Sequence, residues 1–223
     1  MRVTTIINPP VGLDEVMAII EIVFPHFKEG VKLDELETKP FPYLLEQLRA
    51  VGILGMRRGT ITTDNDVDVS EKNRGTLLVE YPKASAFYNF LASPEFALFK
   101  DKVKHGVTAP PTLKLFETSS GLESVGDDTA LGLILLSPKS GNDLAGLLDR
   151  VKSLAKPTLG SRAVFGVNLN SEDNEIVVLE SFKDQKELEQ ANVRPAQQAL
   201  LSQLREIATM THLLANIAKV DVW

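Results

Sequence analysis

The chain has no cysteine, which removes disulfides, thiolate metal sites and cysteine nucleophiles from its chemistry. Aromatic residues make up only 6% of it, and tryptophan occurs once, at Trp223. No apolar run is long enough to cross a bilayer. The densest one, residues 16–27, is interrupted by Glu21, Pro25 and His26. Lys and Arg number 24 against 30 Asp and Glu, a net charge of −6, and the cations are scattered rather than clustered. Neither a nucleic-acid footprint nor a membrane partner is therefore expected. The start, MRVTTIINPPVGLDE, lacks a basic segment followed by an apolar one, so no signal peptide and a cytoplasmic location are expected. Dinucleotide, phosphate-loop, serine-hydrolase and zinc-protease signatures are all missing.

What remains is ordinary globular composition, 43% hydrophobic and 24% charged. The organising stretch is residues 75–103, GTLLVEYPKASAFYNFLASPEFALFKDKV, echoed from Asn174 by NEIVVLESFKDQKELEQANVRPAQQALLSQL. Glu80 answers Glu180 and Lys83 answers Lys183, while Pro94 answers Pro195 one residue out of step. Each copy reads as strand, turn, short helix, proline break and longer helix.

Around these copies the remaining elements fall into place. Residues 3–8 read as an accessory edge strand stopped by Pro9 and Pro10. Residues 16–24 are rich in β-branched side chains and read as a strand closed by Pro25. Residues 28–39 are a charged connector. The spacing of Phe41, Leu44, Leu45, Leu48 and Val51 predicts a helix capped by Gly52. Strands are predicted at 53–63, 76–81 and 112–118, helices at 84–91 and 94–103, and a polar loop at 64–75. Residues 119–128, SSGLESVGDD, are small, polar and acidic and mark a linker. The order then repeats, with strands at 130–136, 161–169, 176–182 and 212–222 and helices at 142–155, 185–191 and 195–209.

Each half thus reads β-α-β-β-α-β, the ferredoxin-like plan. One such unit covers only one face of its sheet, and the other face needs a partner. The expected fold is α+β: two ferredoxin-like βαββαβ repeats, residues 1–118 and 129–223, packed sheet to sheet as an intramolecular barrel with the helices outside. A monomeric pseudo-dimer or a homodimer would satisfy that expectation.

The sequence of strand, Glu, aromatic neighbour, Lys, short helix, proline and longer helix resembles the antibiotic-biosynthesis-monooxygenase type of dimeric α+β barrel. The residues that carry the likeness are Glu80-Tyr81-Pro82-Lys83 with Ser93-Pro94, and Glu180-Ser181-Phe182-Lys183 with Arg194-Pro195. The tryptophan that often follows the glutamate in that family has no counterpart in either copy. The resemblance implies cofactor-independent oxygenation, or a cyclase-like proton transfer, on an aromatic or polyketide-like molecule. No cofactor is implied, and the expected partner is a small hydrophobic or aromatic molecule.

Several residue types suit such chemistry. His26, closing its strand, is a candidate general base or a surface histidine. Arg57 and Arg58 must point to opposite faces, and the inward one either would hold a carboxylate or an oxyanion or is a rim residue that reaches out to solvent. Tyr81 and Tyr88 offer a phenol or serve as core. His212 and Asn216 share a strand face and could hold an enolate or phenol, or face solvent. His105 suits a helix C-terminus, and Arg162 has the same ambiguity as Arg57. Asp64, Asp66 and Asp68 begin like a calcium loop, but Val69 and Gly75 occupy the positions that need Gly and Glu, so the stretch reads as a solvated hairpin loop. Glu80 and Glu180 read as structural partners for a loop amide or lysine. The site set is His26, Arg57, Tyr81, His212 and Asn216. A non-catalytic barrel that sequesters a hydrophobic ligand is the alternative. A haem-binding half would need an inward His26 or His212.

Overall fold

In the computed structural model, residues 17–31, 40–139, 143–170 and 173–222 are described. The edge strand expected at 3–8, most of the charged connector and Trp223 lie outside them. The first half comprises β1 (Ala18–Phe27), α1 (Pro40–Val51), β2 (Gly55–Asp64), the short β3 (Val67–Asp68), β4 (Gly75–Tyr81), α2 (Ala84–Leu91), α3 (Pro94–Val103) and β5 (Val107–Thr118). The second comprises β6 (Ala130–Pro138), α4 (Leu144–Leu159), β7 (Ala163–Asn168), β8 (Ile176–Phe182), α5 (Gln185–Asn192), α6 (Pro195–Ile207) and β9 (Ala208–Lys219). No helix among the described residues is long and apolar enough to cross a membrane.

The strands run in the order β2-β4-β1-β5-β7-β8-β6-β9, and β9 pairs back onto β2, so the sheet closes into an antiparallel barrel. Within each half the order is that of a ferredoxin-like unit, and the two seams, β5–β7 and β2–β9, join the halves. Alternation along the strands decides what each face does. Ile20, Ile22, Leu78, Phe116, Leu131 and Leu213 point inward and fill the barrel. Their neighbours point outward, where α1–α3 cover the first half and α4–α6 the second. A strand covered on both faces is apolar on both, which is why β1 reads AIIEIVF with one charge in it.

At both seams a glycine permits close approach. A Cβ on Gly59 would lie 2.4 Å from the Asn216 carbonyl oxygen, and one on Gly166 would lie 2.6 Å from Thr118 Cγ2. Any side chain there would force the seam apart.

The structure corrects or refines the sequence reading in four places. Pro25 does not end β1, and Pro110 and Pro111 do not precede β5 but lie within it. The register shifts between Phe24 and His26, so these prolines meet at a bulge where no ladder N–H is required. Within the polar loop read at 64–75, residues 63–68 form a tight hairpin. Asn65 and Asp66 both have positive φ, 49° and 68°, and turn β2 into β3.

The segment 119–128, read as a linker, is itself packed against the barrel. Its 3-10 turn, Leu122–Val125, pushes two buried apolar side chains into the barrel interior. Leu122 N donates to Glu80 Oε2 at 2.7 Å, and Arg57 donates to the carbonyls of Leu122, Gly126 and Met56 at 3.3, 2.8 and 3.3 Å. The segment is thus a plug in one end of the barrel.

The offset between the halves is also different. β4 and β8 begin at Gly75 and Ile176, α2 and α5 at Ala84 and Gln185, α3 and α6 at Pro94 and Pro195, a constant 101 residues. Glu80 therefore aligns with Ser181, and the Glu80–Glu180 correspondence is a coincidence of spacing. Glu80 lies on the inward side with Leu78, whereas Glu180 lies on the helix side, where Gln197 Nε2 donates to it at 3.2 Å.

Candidate functional site

The halves differ in how closely their helices approach the sheet. In the second half Leu147, Val151, Ala155 and Leu159 of α4 and Leu200, Leu201 and Leu204 of α6 are buried against it. In the first half α3 buries no residue fully, and its Phe96 and Phe99 are only half-buried. Between α1, α3 and the outer face of β1, β2, β4 and β5 lies a cavity of about 370 Å³. That volume suits a small organic ligand. The wall is mostly aliphatic and phenyl: Leu44, Leu48, Val79, Phe90, Phe96 and Leu113 are representative.

The floor holds one polar pair. Glu21 on β1 and Tyr81 on β4 both line the cavity, and Tyr81 Oη donates to Glu21 Oε2 at 2.9 Å. Glu21 is 5% exposed and Tyr81 1%. The ring of Tyr81 is fixed by an edge-on contact with Phe87, 5.6 Å between centroids. Burial among apolar groups pushes the Glu21 carboxyl up to about 7, a rise that the Tyr81 hydrogen bond partly opposes. Burial, reinforced by the Glu21 charge, raises the Tyr81 phenol beyond its usual range. The pair therefore holds a proton near neutrality that either partner of a reaction could use.

The predicted site residues divide. Tyr81 is on the floor. Asn216 lines the cavity from the β9 side of the seam. His26 lines it at the exposed rim, with Nε2 3.0 Å from Thr112 Oγ1. Arg57 is elsewhere: buried, it serves the plug described above, and its guanidinium is lowered by burial although Asp127 and Glu80 oppose the shift. Its neighbour Arg58 takes the cavity side instead, 5.7 Å above the Phe41 ring.

His212 is in the second half, with Glu180, Gln197 and Asn192 around a void of about 10 Å³, which admits at most one water. Burial lowers the His212 imidazole to about 4 and raises the Glu180 carboxyl to about 7. Of the others, Arg162 pairs with Glu187 at 2.8 Å, Tyr88 is exposed beside Asn170, and His105 is exposed after α3.

Glu21 is the residue that sequence reasoning missed. Its signal was present: a lone carboxylate inside an uninterrupted apolar strand. The same ladder rung carries a carboxylate in each half, but from opposite strands. Glu21 pairs with Val79, and Gly132 pairs with Glu180.

No protein-family model and no curated protein sequence matches the chain. Solved structures do match its fold, at low identity. A Fusobacterium nucleatum subsp. nucleatum protein named "putative monooxygenase" superposes with a TM-score of 0.60 at 13% identity, covering 91% of this chain and 94% of that one. An anthrone oxidase-like protein gives 0.57 at 12%, covering 92% and 94%. A chlorite dismutase variant from Candidatus Nitrospira defluvii gives 0.55 at 9%, covering 94% and 93%. The class defined is the dimeric α+β barrel with both units in one chain. At these identities the likeness is one of fold.

A haem does not fit the residues present. The void beside His212 excludes a porphyrin, and His26 is engaged by Thr112 at the rim, away from the buried floor.

Proposed function

We propose that the first-half cavity binds a small aromatic or polyketide-like molecule and catalyses proton transfer on it, with Glu21 as the base and Tyr81 as its hydrogen-bond partner. The observation that carries this reading is a buried carboxyl with its proton affinity near neutrality, inside an apolar cavity of ligand size. Glu21 in its ionised form accepts a proton from an acidic C–H or phenolic O–H, and the electron pair left behind spreads into the substrate ring. Tyr81 donates its hydrogen bond to the carboxylate and keeps it oriented. The resulting anion can react with dioxygen, as in a cofactor-independent monooxygenase of the antibiotic-biosynthesis type, or with a carbonyl of the same molecule, as in a cyclase. The names of the barrel relatives, monooxygenase and anthrone oxidase-like, favour the first.

Anthrone in air-saturated buffer is the probe. Wild type should accelerate its oxidation, and Glu21→Gln should lower the rate by about 10²–10⁴-fold while binding persists. Binding without any turnover in wild type would leave the cavity as a carrier site. Equal rates in wild type and variant would remove Glu21 from the chemistry.

A further inference from the structure

The distribution of charge around the cavity restricts what enters it. The chain as a whole is acidic, at −6. Among the described residues that line the cavity, Glu21 is the one acid, and it lies on the floor. The charged side chains among the described rim residues are cations instead. Lys100 on α3 holds its ammonium 5.2 Å from the centre of the Phe96 ring, and Arg58 on β2 holds its guanidinium over Phe41. Both rings and both cations line the same cavity. Each charged head lies over an aromatic residue of the cavity wall, which holds it at the mouth.

Resting on the proton-transfer reading above, we infer that the ligand is an amphipathic organic anion, with an apolar body in the cavity and a carboxylate or comparable acidic group at the Lys100 rim. The floor rejects the opposite orientation, because an ionised ligand carboxylate there would be buried in an apolar surrounding beside another acid. The anionic end therefore stays outward, and the uncharged end carries its reactive hydrogen to Glu21. The rim thus orients the substrate as well as attracting it.

Three probes of one shape test this: 1-naphthoate, 1-naphthalenemethanol and 1-naphthylmethylammonium, titrated calorimetrically at about pH 6, where an ordinary carboxylic acid is ionised. Wild type should bind the carboxylate about five- to tenfold more tightly than the alcohol, with the ammonium weakest. Lys100→Met should reduce that preference, and Lys100→Glu should abolish or reverse it, read as the ratio of carboxylate to alcohol affinity in each variant. Because Lys100 is exposed, neither variant threatens folding. If wild type binds the alcohol as well as the carboxylate, or if the preference survives Lys100→Glu, the inference falls while the cavity reading stands. If no probe binds, both fall.

Discussion

At the residue scale the molecule turns on a carboxyl placed where a carboxyl is costly. Below about pH 4.5 Glu21 is protonated in both the folded and the unfolded chain and has no effect on stability. Between there and about pH 7 the unfolded chain releases the proton while the folded chain keeps it. Wild-type stability therefore falls through that window as pH rises. Glu21→Gln, which can still accept the Tyr81 hydrogen bond, should gain about 2–3 kcal/mol over wild type above pH 8 and nothing below pH 4.5. Urea unfolding across pH checks this, and a flat difference would show that burial does not raise this carboxyl. The gain in stability alongside a loss of turnover would be the usual cost of a functional site. His212 has the opposite sign. Its lowered imidazole stabilises the fold above its unfolded value, and that contribution is lost as pH falls toward about 4.

At the element scale, the helices between Ala84 and Val103 and the strand starting at Ile176 match their sequence readings because local signals determine them. Ser93 accepts from Phe96 N at 3.1 Å, and Pro94 takes the first helical position, where its missing N–H has no cost. The elements misread are those whose ends are set by distant partners. β5 passes through two prolines because β1 bulges opposite them. Glu21 escaped for a related reason: periodicity distinguishes faces, but the cover on the outer face of β1 comes from helices far along the chain.

The seams offer a test at the same scale. Gly59→Ala should cost about 1–3 kcal/mol by overpacking, and more than Gly166→Ala. The first added methyl meets a backbone carbonyl, whereas the nearest atoms to the second are side-chain methyls that can move. Thermal unfolding of the two variants settles the order, and the reverse order would mean that β9 yields more readily than Thr118 and Val177.

At the scale of the whole molecule, the duplicated plan was legible and its division of labour was not. Topology follows from two runs of strand and helix signals. Which half keeps a cavity depends on a few side chains, such as Phe182 where the other half has Tyr81, and on how far α3 stands from its sheet. The closed circuit of strands has one more consequence. Each half contributes two borders, β2 and β5 in the first and β7 and β9 in the second, and each border is occupied only by the opposite half. Severed from its companion, residues 1–128 would present raw margins and a greasy inner wall at once, and the nearest matching surface would be another copy of itself. Light scattering should find that fragment as twins or larger clusters, never as a stable single particle.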